Sequence, residues 1–199
     1  LVCLVGSEMC IRDRVEIVGV TKTRPFSNIE ESYNAGLRHI GENRIQEAAT
    51  KFVSFDKMPD LKKRFIGHLQ SNKSKKCVEL FDTVDSIGSI KTLKKVKKYS
   101  LELKKSISIL IEINTSKEVQ KHGFFPDQKE KILECFDCGG VSIDGLMTIG
   151  PNTSNRAEVR RAFKSLRKTK EWVESETNTK IKHLSLSLIH ISEPTRHTR

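Results

Sequence analysis

Hydrophobic positions along the chain change period in a regular way. Short aliphatic or β-branched runs occur at VEIVGV (15–20), HIGE (39–42), RFIGHL (64–69), DTVDSI (82–87), SISILIEIN (106–114), VSIDGLMTI (141–149) and IKHLS (181–185). Each reads as a strand. The stretches between them carry helical spacing. One helix runs from Pro25 to about Gly36, a glycine placed to end it. Residues 43–52 put Ile45, Ala48, Ala49 and Phe52 on one face, and 73–81 do the same with Val78, Leu80 and Phe81. Residues 89–103 set Ile90, Leu93 and Val96 against a lysine-rich outer face. Pro126 opens a helix over 126–138 that the Gly139–Gly140 pair closes, and 155–177 turns Ala162, Phe163, Leu166 and Val173 inward.

The order is therefore β then α throughout, with about seven strands and six helices. Nearly continuous apolar strands between amphipathic helices predict an α/β fold, a parallel sheet with helices outside. An open doubly wound sheet and a closed barrel both fit. The residues after the first strand are TKTRP, where a doubly wound sheet often carries a glycine-rich phosphate turn, and neither GxGxxG nor GxxxxGK[ST] occurs. The reading is a TIM-type (β/α)8 barrel, incomplete, as one domain over 15–185. A barrel left unclosed exposes two strand edges.

The two ends do not join this pattern. Residues 1–14 (LVCLVGSEMCIRDR) show no strand or helix period that continues into the first predicted strand, and 186–199 (LSLIHISEPTRHTR) are equally detached from the last. Both resemble translated sequencing-adapter sequence, and both are expected to be artefact rather than part of the fold.

Composition narrows the class. The 199 residues are 36% hydrophobic and 31% charged, enough for one packed domain. No apolar run approaches the roughly 18 residues of a membrane span. The net charge of +11 comes from lysines spread over many helices, the pattern of a solvated surface. A nucleic-acid-binding module is the alternative that the charge raises; at 6% aromatic residues the chain lacks the interleaved rings such a module uses. Five cysteines without framework spacing fit a reducing compartment. Cys135 and Cys138 form a single CxxC with no second pair to complete a structural zinc site, so no metal site is expected.

In a barrel of this kind the chemistry lies at the C-terminal strand ends. Those ends give Lys22, Glu42, Asn43, His68, Gln70, Asn72, Asp85, Ser86, Asn114, Ser116, Met147, Thr148 and Ser185, a polar ring above an apolar cage. A lysine leaving a buried strand has a specific use. Desolvation disfavours its charged form, and the neutral amine attacks an aldehyde to form an imine. In so lysine-rich a chain the same residue also reads as ordinary surface. His68 reads either as an acid–base group or as a hydrogen-bonded structural histidine. Glu42 reads either as a partner to a base or as a carboxylate at a helix start.

Five blocks carry a resemblance. VGVTKTRP (18–25), HIGENRIQEA (39–48), FIGHLQSNK (65–73), INTSKEVQKHGF (113–124) and GLMTIG (145–150) resemble, in the same order, motifs of the pyridoxal phosphate homeostasis proteins, relatives of the alanine racemase N-terminal barrel. The resemblance covers about 15–185. It implies that Lys22 carries the cofactor as a Schiff base, with Asn43 near the cofactor and Met147 under its ring. Ser185 matches the first serine of a motif that in the family continues Leu-Ser-Met-Gly-Met-Ser. The sequence departs from that motif after Ser185, and with it go the second motif serine and a late Arg-x-Gly segment, so the phosphate site is incomplete.

The implied function is binding of pyridoxal 5'-phosphate for intracellular homeostasis, without robust turnover and without a catalytic residue. Pyridoxal-phosphate-dependent apoenzymes are the implied recipients. A monomer in the cytoplasm is expected, with mitochondria as the other compartment, and neither nucleic acid nor membrane as partner. The rival within the fold is an amino-acid racemase-like enzyme, which needs a second base opposite Lys22.

Overall fold

A computed structural model describes residues 2–6, 15–116, 118 and 120–187. Seven strands pair in sequence order and all run parallel: β2 (Val15–Val20), β3 (His39–Glu42), β4 (Lys62–Phe65), β5 (Thr83–Ile87), β6 (Ser108–Glu112), β7 (Ser142–Ile149) and β8 (His183–Ser187). These are the seven strands expected from the sequence. Six α-helices follow them: α1 (Phe26–Asn34), α2 (Ile45–Lys51), α3 (Ser74–Leu80), α4 (Ile90–Glu102), α5 (Lys129–Asp137) and α6 (Arg156–Thr177).

The closing strand departs from expectation. Val2–Gly6 forms β1, antiparallel to both β2 and β8, and the sheet becomes a closed barrel rather than one with two free edges. Adjacent open edges present unpaired N–H and C=O groups, and an extended apolar segment satisfies both at once. A continuous apolar run such as VCLVG has no alternation to reveal it as a strand. Leu186 and Ser187, also placed outside the domain by the sequence reading, complete β8. The rest of the two end segments, 7–14 and 188–199, lies outside the described residues.

Two boundaries differ from expectation by three residues or more. The strand expected over 64–69 ends at Phe65, freeing His68 for the barrel mouth while Leu69 turns into the main core. The helix expected from Pro126 begins at Lys129, because Gln128 N–H closes a turn onto the Phe125 carbonyl.

The main core lies between barrel and helices. Outward-facing Phe65, Val84, Ile109, Ile111 and Leu146 pack with Val78, Leu93, Val96, Ile132, Leu166 and Val173. A smaller cluster of Ile29, Ile40, Phe55, Met58 and Leu61 sits under α1. Edge-to-face contacts run Phe26–Phe55–Phe52–Phe81–Phe65 and join the two clusters.

The buried first strand expected from VEIVGV is not seen. Val18 is its one buried residue, while Ile17 is 52% exposed. The buried strands are β3, β5 and β6, in each of which all residues but the first are buried. The barrel interior is also less apolar than expected. Arg64 holds Asp85 with two hydrogen bonds, of 2.8 and 3.1 Å, and both side chains are buried. Thr83 donates to the same carboxylate at 2.9 Å. Period-two alternation explains this layer: Arg64 lies between the outward-facing Lys63 and Phe65 and so turns inward.

Candidate functional site

Strand register divides the sequence-derived site residues into two pairs. The ladder between β2 and β3 matches Val20 with Gly41, and Thr21 N–H continues it onto the Gly41 carbonyl at 3.1 Å. Lys22 and Asn43 each follow two residues beyond that last pair, Lys22 in the turn where the chain leaves β2. Gly41 matches Arg64 on β4, so Ile66 extends the same row. On the other side Glu112, Met147 and Ser185 are successive partners across β6, β7 and β8. Met147 and Ser185 are both buried.

A cleft of about 160 Å³ lies between the rows. Ile66 enters it from the first row and Glu112 from the second, with His68, Ser86, Gln120, Lys121, His122 and Ile149 completing the lining. Through β1 the two rows do not meet. Ser185 pairs with Val5, and Val5 with Glu16, six residues before Lys22. That offset is about 20 Å of strand at roughly 3.3 Å per residue.

The loop after β6 roofs the cleft. Asn114 N–H donates to the Phe124 carbonyl at 2.8 Å and Phe124 N–H donates to the Glu112 carbonyl at 2.9 Å, pinching the loop shut. Gly123 makes this possible. Its φ is +104, and a Cβ there would stand 2.8 Å from the Glu112 carbonyl oxygen. His122, just before it, stacks on His68 with ring centroids 3.4 Å apart and planes 13° apart. Burial pushes the His68 pKa down, and the neighbouring His122 adds to this. Lys121 is tied down, paired with Glu118 at 2.6 Å and donating to the Gly150 carbonyl at 2.9 Å.

Glu112 is 5% exposed, and burial raises its pKa to about 7. Sequence reasoning missed it, along with His122. The signal was a lone carboxylate in the most apolar run of the chain, two positions from Leu110 and hence on the inward face. For His122 the signal was the glycine after it, needed where the loop crosses β6.

Lys22 is exposed, in a turn above the rim, rather than desolvated in an apolar cage. The chain rises clear of β2 at Thr21, and the outer face of that strand is thinly covered. No hydrogen bond or ion pair engages the Lys22 amine among the described residues. Beside it Lys51 Nζ contacts Glu42 Oε1 at 2.8 Å and Glu47 Oε1 at 2.7 Å. Glu42 thus pairs with a base, one of its two expected roles. Among the described residues no helix is long and apolar enough to cross a membrane, and no group of three or more His, Cys, Asp or Glu is placed to hold a metal.

The family model for the alanine racemase N-terminal domain matches residues 8–197. A pyridoxal phosphate homeostasis protein of Aquifex aeolicus is 32% identical over 176 residues, 88% of this chain and 77% of that protein. The chain belongs to the pyridoxal phosphate homeostasis protein family. Within the family, PipY of Synechococcus elongatus is 32% identical, and its structures without and with bound pyridoxal phosphate superpose with TM-scores of 0.76 and 0.74. Each match covers 81% of this chain and 75% of PipY. The chain thus spans about three quarters of the length of these relatives. An alanine racemase of Clostridium difficile shares the fold at 13% identity, with a TM-score of 0.70 over 86% of this chain and 48% of the enzyme.

Proposed function

We propose that the chain binds pyridoxal phosphate through a Schiff base on Lys22 and serves intracellular balance of that cofactor rather than turnover of a substrate. The observation that carries this reading is the amine of Lys22, in the turn after β2 and unengaged among the described residues, while Lys51, Glu42 and Glu47 beside that turn are paired with each other. Such an amine, in its neutral form, condenses with an aldehyde. When bound, the cofactor supplies that aldehyde and an electron-accepting ring.

The residues present fit the group in part. Lys22 suits the carbonyl, and Asn43, just past the end of the neighbouring strand β3, offers a side-chain amide. Met147 and Ser185 are register partners on β7 and β8, both buried inside the barrel, and neither lines the cleft. A phosphate cup joining Ser185 to Lys22 is not assembled, given the six-residue offset through β1. Membership of the family and the pyridoxal phosphate found in PipY support the choice of ligand. A cytoplasmic setting, a monomer and delivery to apoenzymes belong to the same proposal.

Lys22→Ala tests it. Mixed with pyridoxal phosphate, the wild-type chain should develop the visible absorbance of a lysine-linked cofactor and the variant should not. A band that survives the substitution removes Lys22 from the site.

A second reading, amino-acid racemisation, draws on two titratable groups in the cleft, Glu112, whose pKa burial raises to about 7, and His68. Sustained interconversion of L- and D-alanine by the loaded chain would favour it; the homeostasis reading expects none.

A further inference from the structure

A charged cluster brackets Lys22 without touching its amine. Thr21 Oγ1 donates to Glu42 Oε1 at 2.7 Å, and Lys51 Nζ donates to the Thr21 carbonyl at 2.8 Å. Thr23 N–H donates to Glu47 Oε1 at 2.5 Å, and Thr23 Oγ1 donates to the Lys22 carbonyl at 2.6 Å. With its contacts to both carboxylates, all three protons of the Lys51 ammonium are used on this turn and its supports. Burial works against the Lys51 charge, but its hydrogen bonds to Glu42 and Glu47 outweigh that and raise its pKa.

The arrangement is costly for a merely structural one. Glu42 is fully buried, and its second oxygen, Oε2, lacks a partner among the described residues. A buried ionic group with an unfilled acceptor is a poor way to fix α2 against β3 when apolar packing would serve. Thr23 holds φ at +60, a region that β-branched residues avoid. Backbone strain of this kind persists where surrounding contacts over-determine it. Here those contacts converge on the residues either side of Lys22.

We propose that Glu42, Glu47 and Lys51 form a positioning cluster that fixes the Thr21–Thr23 turn so that the Lys22 amine meets an aldehyde ligand in reactive geometry. This rests on the reading that Lys22 carries the cofactor. Torsions at Thr21 and Thr23 set the direction in which the Lys22 side chain leaves the backbone. A turn free to sample other torsions reaches the attacking geometry less often. The cluster members position; they do not react.

Glu47 gives the cleanest test, because it lies toward the surface and its loss does not strand a buried charge. The full chain and its Glu47→Ala, Glu47→Gln and Lys22→Ala variants are mixed with excess pyridoxal phosphate, and the rate of cofactor linkage is followed by absorbance. Amide hydrogen exchange over residues 20–25 and the thermal midpoint are measured on the unloaded chains. Glu47→Ala should link about tenfold more slowly, the scale of a lost orientation constraint, with faster exchange over 20–25 and little change in midpoint. Glu47→Gln, which keeps an oxygen acceptor for Thr23 N–H, should recover most of the rate. Wild-type linkage by Glu47→Ala, or equal slowing in both Glu47 variants, overturns the positioning role alone. A band that persists in Lys22→Ala overturns the underlying reading, and the positioning role with it.

Discussion

Lys22 and Asn43 each lie two residues beyond the paired Val20 and Gly41, at the ends of neighbouring strands β2 and β3. One is an amine that no described residue engages and the other a neutral amide at the end of the adjacent strand. The amide can hydrogen-bond a ligand already held by the amine, but it cannot replace the covalent link. Asn43→Ala should therefore weaken retention of pyridoxal phosphate by about tenfold or less, the worth of one net hydrogen bond. Lys22 should still be the residue linked. Absorbance titration measures both the midpoint and the band.

Glu112 makes stability depend on pH. Its folded pKa, raised by burial to about 7, lies above its ordinary 4.5, so the folded state binds the proton more tightly. The stability this contributes is present below about pH 4.5 and is lost as pH rises through about 7. Relative to Glu112→Gln, the wild-type chain should lose at most about 3 kcal/mol across that window. Urea denaturation at pH 5 and pH 8 on both proteins checks the sign. An equal pH response in the two would place the effect elsewhere.

The Arg64–Asp85 pair is enclosed by the barrel, so its two halves are not equivalent to surface charges. Asp85→Ala removes the two-point acceptor and leaves a buried guanidinium, which should cost about 3–5 kcal/mol. Replacing the pair together, Arg64→Met with Asp85→Leu, should cost much less than the sum of the single changes. Chemical denaturation of the four proteins of this cycle provides the comparison.

Gly123→Ala forces a Cβ against the Glu112 carbonyl and into a disfavoured φ. A loss of about 1–3 kcal/mol is expected, together with separation of the His68–His122 stack. Urea denaturation gives the first quantity. Histidine side-chain NMR gives the second, as a His68 titration midpoint that moves back toward that of a free imidazole.

Physical scale decides which of these features are legible in the sequence. The parallel strands and their helices were legible because period and length are local properties. VEIVGV and HIGE matched β2 and β3 to the residue. Lys22, Asn43, Met147 and Ser185 were read as strand-end residues, but Met147 and Ser185 lie within β7 and β8 as a register pair, and none of the four lines the cleft, since register is set by long-range ladders. β1 was missed because a uniformly apolar run carries no period. Lys22 was expected to be desolvated, whereas the chain leaves the sheet one residue earlier and lifts it into solvent. Glu112 and the Arg64–Asp85 pair were missed because apolar neighbours on the outward face hid an inward polar layer.

The central claim is a covalent bond between one lysine and the cofactor's carbonyl. Treating the pyridoxal phosphate-loaded chain with borohydride makes that bond permanent, and peptide mass spectrometry then locates it. The account expects one dominant adduct, on Lys22 of the Thr21–Thr23 turn. A dominant adduct on another lysine, or none above the level seen with denatured chain, would contradict it.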